Sequence, residues 1–410
     1  MEQQLYELPE EWITKPIGEI ASLVTKGSTP TSYGHKFQSS GINFVKIENI
    51  TDGKIDADSI SSFITEEAHQ FLKRSQLQEG DLLFSIAGSI GTSALVDAAI
   101  LPANTNQALA LIRGYESDAI PEFLLYALRS EVLNETKNKK RGGALQNISL
   151  TDIKNTKIPL PPLNEQERIV AKLDALFTRI DAAITYLQET LKLSKALFAS
   201  ALDREFAALD VRFQIGDIAY VKGGKRLPKG ATFQDDSTAH PYIRVADFRD
   251  DGTIELSGLK YISDETYKYI KNYTISIKDL YISIAGTIGK TGVVPEELDG
   301  ANLTENAAKI VFKKQGNIDV RFVYYFTLSN DFLEQAGLAT KIVAQPKLAL
   351  TRLSKIEVPL PALREQRRIV SSLDLLSEHT RALEAETKER LDQLAALKSS
   401  LLDAAFRGQL

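Results

Sequence analysis

The chain has 410 residues, 43% of them hydrophobic and 25% charged, and a net charge of −5; this is enough for two or more domains and too acidic for a diffuse nucleic-acid coat. It contains no cysteine, which excludes disulfides, Cys-ligated zinc and cysteine nucleophiles and fits an intracellular, cytoplasmic setting. The four histidines (His35, His69, His240, His379) lack metal-ligand spacing, and no apolar run approaches the roughly 20 residues that cross a bilayer.

From the N-terminus, residues 1–16 show no basic start followed by an apolar run, so no signal peptide is expected. Short segments rich in Ile, Val and Phe follow, such as Ile17-Gly18-Glu19-Ile20-Ala21, Phe44-Val45-Lys46-Ile47 and Asp81-Leu82-Leu83-Phe84-Ser85, bounded by turn residues such as Asp52-Gly53. They read as β-strands with tight turns, and 65–74 and 121–134 read as helices between them. At Pro159-Leu160-Pro161-Pro162 proline is expected to end a strand and form a hinge, with Asn164 as N-cap of the helix beyond. From 165 to 206 there is neither Gly nor Pro, and Ile169, Leu173, Leu176, Ile180, Ala183, Leu187 and Leu191 recur at steps of four and three, a coiled-coil stripe.

The second half repeats the first. Ile215-Gly216-Asp217-Ile218-Ala219, Tyr242-Ile243-Arg244-Val245 and Asp279-Leu280-Tyr281-Ile282-Ser283 match the strand-like segments above, and Asp251-Gly252 matches Asp52-Gly53. Pro159-Leu160-Pro161-Pro162-Leu163-Asn164-Glu165-Gln166-Glu167-Arg168-Ile169-Val170 returns 200 positions later as Pro359-Leu360-Pro361-Ala362-Leu363-Arg364-Glu365-Gln366-Arg367-Arg368-Ile369-Val370. A second stripe follows at Ile369, Leu373, Leu376, Thr380, Leu383, Thr387, Leu391 and Leu394. A fixed internal period marks a duplicated unit. The expected architecture is α+β: two similar globular α+β domains, joined by two long antiparallel coiled-coil helices in a pseudo-two-fold repeat. The expected divisions are 1–156, 157–208, 209–356 and 357–410. Residues 1–156 carry a charge balance of −6 and residues 209–355 one of +2, so a nucleic-acid surface would be a local patch.

A variable α+β domain, the Pro-Leu-Pro-x-Leu-x-Glu-Gln-x-Arg-Ile-Val motif, a long helix, and a second copy of all three resemble the specificity (S) subunit of type I restriction–modification systems. The closing Ala405-Phe406-Arg407-Gly408-Gln409-Leu410 is also similar to that family's ending. The resemblance implies two target recognition domains, each reading one half of a split DNA sequence. It also implies helices that set the distance between half-sites and bind two methyltransferase (M) subunits. It implies no catalysis by this chain: S-adenosylmethionine belongs to the M subunits, and ATP and Mg belong to restriction (R) subunits of the full complex. No membrane is implied.

Several clusters are candidates for DNA contact, since Lys and Arg anchor phosphates while Asn and Gln pair with base edges. The basic run holding Lys139, Lys140 and Arg141 precedes Gln146 and Asn147, and Lys341, Gln345 and Lys347 hold a similar position in the second half. The glycine-bearing loop with Lys26, Ser28 and Thr29 is paired with Lys222, Lys225 and Arg226, as Lys46 is with Arg244. Asn106, Gln107 and Asn306 lie in polar clusters that either read bases or cap turns. Lys290 follows Gly286-Thr287-Ile288-Gly289, a stretch that superficially resembles a phosphate loop but lacks its first glycine and reads as a turn. On the helices, Glu165, Gln166, Arg168, Arg179, Glu365, Gln366, Arg368 and Arg381 are candidates for partner contact, with solvated charges as the alternative. No methyltransferase, nuclease or metal motif is present, so no catalytic or metal residue is expected. The competing reading is an architectural coiled-coil adaptor whose domains bind protein.

Overall fold

The computed structural model describes residues 8–115, 118–130, 148–313, 316–338 and 347–410. The chain divides into two compact units, Met1–Leu187 with Glu389–Leu410, and Gln188–Lys388.

In the first unit, β1 (Ala21–Lys26), β4 (Leu82–Ser85), β5 (Ser93–Leu95) and β7 (Leu109–Tyr115) form an antiparallel sheet in the order β1-β7-β4-β5. Beside it β2 (Ile42–Val45) pairs antiparallel with β3 (Phe63–Ile64) and parallel with β6 (Ala103–Thr105). Side chains alternate across a strand, and β4 uses both faces. Leu82 and Phe84 point to a core shared with α2 (Pro121–Arg129), while Leu83 points to a second core with Val45 and Ala103. This explains why β4 reads as an unbroken apolar run. The short helix α1 (Glu66–Phe71) is capped by Thr65, whose hydroxyl accepts the Ala68 N–H at 3.1 Å. The helix α3 (Leu163–Ala207) follows.

The second unit repeats the plan. Strands β8 (Ala219–Gly223), β11 (Asp279–Ser283), β12 (Thr291–Val293) and β14 (Ala307–Phe312) take the order β8-β14-β11-β12. Strand β9 (Pro241–Ile243) lies between β10 (Lys260–Tyr261) and β13 (Asn302–Leu303). Leu280 and Ile282 again face one core and Tyr281 the other. Helix α4 (Asp264–Ile270) is capped by Ser263, and α5 (Val320–Phe326) and α6 (Leu363–Phe406) complete the copy. The glycine stretch before Lys290 is the β11–β12 hairpin turn, with Gly286 and Gly289 at φ of 77° and 93°. The Ser283 hydroxyl donates to the Thr287 carbonyl at 2.6 Å and accepts the Lys290 N–H at 2.8 Å.

The long helices enter the cores of both units. In the first, Ile169, Leu173, Phe177 and Ile180 of α3 pack with Leu402, Ala405 and Phe406 of α6, and the Phe123 and Phe406 rings lie 5.0 Å apart. Arg168 Nη2 donates to the Leu410 carbonyl at 2.8 Å and Lys398 Nζ to Asp181 at 2.7 Å, so these segments run antiparallel. In the second unit the end of α3 packs on the start of α6 through Leu202, Phe206, Ile369 and Leu373, with Arg368 Nη2 2.8 Å from Glu205. The expected stripes are buried or half-buried with one departure: Leu383 is exposed. Thr380 and Thr387 are buried within the stripe, and their hydroxyls donate to the Leu376 and Leu383 carbonyls at 2.9 and 2.6 Å, which satisfies them locally.

Three local expectations are corrected. Ile17–Ile20 and Ile215–Ile218 are single helical turns rather than strands, and the strands begin only at Ala21 and Ala219. Pro159 does not end its strand; it lies inside Lys157–Leu160, opposite Thr14, in a two-stranded ribbon where an edge position tolerates the missing N–H. Asn164 is not the N-cap, because α3 already starts at Leu163 and the Pro162 carbonyl accepts the N–H groups of Glu165 and Gln166 at 2.9 and 3.0 Å.

Candidate nucleic-acid interface

The geometry of the loop after the first sheet strand starts from a glycine. A Cβ on Gly27 would lie 2.2 Å from the Asn106 carbonyl oxygen, and one on Gly224 would lie 2.1 Å from that of Thr304. Only glycine lets the two backbones approach so closely. The structural counterpart of Gly27 is therefore Gly224 and not Gly223, so the alignment of Lys26 with Lys222 is shifted by one residue. The close approach brings two loop positions together in both units. In the first, the Thr29 hydroxyl donates to Gln107 Oε1. In the second, Arg226 Nε donates to Glu305 Oε1 at 3.1 Å. The same scaffold thus carries a neutral pair in one copy and a charged pair in the other.

Around Arg226 lies a pocket of about 480 Å³ lined by Phe233, Tyr242, Arg244, Glu305 and Asn306 among others. The Tyr242 hydroxyl donates to the Lys225 carbonyl at 2.7 Å, and burial raises its pKa. Lys225 Nζ sits 5.6 Å from the Tyr273 ring centre, and Lys347 Nζ donates to the Glu305 carbonyl at 3.2 Å. Arg244 is held by Asp247, whose buried carboxylate accepts from its guanidinium at 2.6 Å and from its backbone N–H at 2.7 Å. Lys46 occupies the equivalent place: its N–H donates to buried Asn49 at 2.9 Å and its ammonium lies 5.2 Å from the Phe37 ring centre.

The structure thus gathers Lys225, Arg226, Arg244, Asn306 and Lys347 on one side of the second unit, and Ser28, Thr29 and Gln107 on one side of the first. Lys26 and Lys222 are exposed on the strands entering these loops. Asn106 caps its own turn, accepting the Ala108 N–H at 3.1 Å. Lys290 points elsewhere, donating to the Phe248 carbonyl at 3.0 Å and pairing with Asp250 at 2.8 Å. Lys139, Lys140, Arg141, Gln146, Asn147, Lys341 and Gln345 lie outside the described residues. Sequence reasoning missed Glu305 as a partner of Arg226, and Arg74, whose guanidinium reaches Ser28 Oγ at 3.4 Å. The first was hidden because a surface glutamate carries no signal by itself.

On the helices, Gln166 and Gln366 are corrected from partner contacts to internal pins. Both are buried. Gln166 donates to the Asp118 and Pro161 carbonyls at 2.7 and 2.8 Å and accepts the Ile120 N–H at 3.0 Å. Gln366 does the same with Asn317, Pro361 and Asp319 at 3.1, 2.8 and 2.9 Å. The Glu165–Arg168 and Glu365–Arg368 pairs close at 2.7 and 2.9 Å, and the arginine bonds hold both carboxyls below the usual range. Arg381 donates to the Asp251 carbonyl at 3.0 Å, and Arg179 is exposed.

Two copies of one scaffold, each presenting a cation-bearing loop cluster of different chemistry, define a duplicated recognition protein. Residues 9–192 and 211–393 both match the type I restriction modification DNA specificity domain, and the chain belongs to that family of DNA-recognition subunits. It is 24% identical to the type I restriction enzyme EcoBI specificity subunit of Escherichia coli, across 99% of this chain and 88% of that one. It is 25% identical to the MjaX specificity subunit, described as putative, of Methanocaldococcus jannaschii, across 99% and 95%. Its fold is similar, at a TM-score of 0.79 and 26% identity, to a chain in a structure of type I R-M complex assembly and conformational transition, covering 99% of this chain and all of that one. The HsdS subunit from Thermoanaerobacter tengcongensis matches over the full length at a TM-score of 0.55 and 25% identity. Among the described residues no helix is long and apolar enough to cross a membrane.

Proposed function

We propose that this chain is the non-catalytic, sequence-reading subunit of a cytoplasmic type I restriction–modification assembly. Each recognition domain reads one half of a bipartite duplex target. The long helices set the spacing and dock two methyltransferase subunits, and restriction subunits join them in the full complex. Methyl transfer draws on S-adenosylmethionine held by the methyltransferase subunits, and cleavage draws on ATP and Mg at the restriction subunits.

The observation that carries this reading is the equivalence of the pairs Thr29–Gln107 and Arg226–Glu305 on duplicated scaffolds. An amide suits the adenine edge, a guanidinium suits guanine and a carboxylate accepts from the cytosine amino group. Domains built alike but tipped differently suit a target with two unlike halves. The surrounding cations, Lys26, Lys46, Lys222, Lys225, Arg244 and Lys347, serve the phosphates. Single-molecule methylation mapping of DNA from the source cell tests the reading. One split, adenine-containing motif should vanish when this chain is deleted; persistence of every motif refutes the proposal.

A further inference from the structure

In each unit one large aromatic side chain stands in solvent at the same place. Phe71, the last residue of α1, is 60% exposed, and Tyr269, in α4, is 73% exposed. Their equivalence is fixed by hydrogen bonding. Buried Asn104 donates its side-chain amide to the Leu72 carbonyl at 3.2 Å, and buried Asn302 donates to the Ile270 carbonyl at 2.9 Å. Leu72 and Ile270 are themselves buried, so each asparagine ties down the residue that follows the aromatic. The caps Thr65 and Ser263 hold the other end of each helix. Both rings are therefore presented outward from a fixed mount.

A single exposed aromatic is ordinary. Its recurrence in two copies whose loops differ requires a cause, and the surroundings supply one. In the first unit Tyr33 and His35, from the loop that carries Thr29, lie 5.7 and 5.2 Å from the Phe71 ring, and Arg74 reaches Ser28 in the same loop. In the second, Ile270 packs in one cluster with Leu227, Phe233 and Tyr273, and Lys225 lies over Tyr273. In sequence, exposed Lys73 and Arg74 follow Phe71, and exposed Lys268 and Lys271 lie on either side of Tyr269. In the first unit the ring itself, and in the second the neighbouring Ile270, packs on the segment that carries Thr29 or Arg226.

We propose that Phe71 and Tyr269 are stacking contacts, each laying its ring on the face of an unstacked base of the duplex half-site. The proposal rests on the DNA-reading function above and adds a mode of contact to it. Every base has a π-face, so stacking is tolerant of sequence and independent of charge, whereas phosphate contacts carry the counterion term. The rings would anchor each domain while the loop pair specifies the base.

The test titrates the full-length chain with a duplex oligonucleotide carrying the motif mapped in source-cell DNA, over a series of salt concentrations. Phe71→Ala and Tyr269→Ala should each weaken binding on the order of tenfold to a hundredfold. The slope of log affinity against log salt should not change, because no phosphate contact is lost. Phe71→Trp should bind like the parent, and Phe71→Leu, which keeps apolar area without a π-face, should bind like the alanine variant. Both side chains are exposed, so melting temperatures should match the parent. Parental binding by both alanine variants overturns the proposal, as does a reduced salt slope or a leucine variant that binds like the parent. Loss confined to association with a protein subunit would make the surface a protein contact and also overturn it. Failure of the parent to bind the motif-bearing duplex refutes the DNA-reading function itself, and the stacking proposal with it.

Discussion

Replacing Gln166 by alanine should loosen the junction between the first recognition domain and its helix. The substitution strips three partners at once: the carbonyls of Asp118 and Pro161 and the N–H of Ile120, bonded at 2.7, 2.8 and 3.0 Å by a fully buried amide, with the Pro161 bond buried and the other two half-buried. An unsatisfied buried polar group costs about 1–3 kcal/mol; the Pro161 carbonyl bears that cost in full and the two half-buried partners less, so the loss should be roughly 2–3 kcal/mol. That is a large share of a typical domain stability of about 5–15 kcal/mol. Hydrogen exchange read by mass spectrometry on the full chain would resolve it locally. Protection at Ile120 should collapse in Gln166→Ala and stay unchanged at Asp319, the N–H that Gln366 holds in the other copy. Gln166→Glu separates donation from packing. A carboxylate still accepts from Ile120 but faces two carbonyls with no proton to give, so at neutral pH it should cost at least as much as alanine. Burial raises that new carboxyl's pKa above its unfolded value. Its native state is thus penalised as pH rises through the raised value, and stability should recover on acidification. A loss in Gln166→Ala below about 1 kcal/mol, with Ile120 still protected, would refute the pin.

Two other outcomes are expected. Gly27→Ala and Gly224→Ala place a Cβ 2.2 and 2.1 Å from backbone oxygens, so each should cost about 1–3 kcal/mol by calorimetry, as overpacking does, and disturb only the half-target read by its own domain. A four-residue insertion in α3 near Gln188 adds about 6 Å of helix and should lengthen the unspecified spacer in the methylation motif by one or two base pairs with both halves kept; an unchanged spacer in a functional variant would show that the helices do not set it.

The duplication was legible as a string repeated 200 positions on; the strand runs of Asp81-Leu82-Leu83-Phe84-Ser85 and its copy, the glycine turns and the helical stripes were legible because each depends on neighbours a few positions away. Backbone period and turn preference are local properties, and they survive in a bare string of residues. The sequence also supplied Thr29, Gln107 and Arg226 as candidates by residue type. It could not say that Arg226 meets Glu305, that Gly27 matches Gly224, or that Gln166 and Gln366 turn inward. The pairings of Arg226, Gln166 and Gln366 join donors and acceptors separated by 79, 46 and 47 positions, the glycine match rests on backbone oxygens brought in from another strand, and such contacts form only when the sheets and helices close. Phe71 and Tyr269 show the same limit in reverse. Neither was singled out by residue type, and only the amides of Asn104 and Asn302, fixed on a strand, decide that the next residue is held inside while the ring is left in solvent.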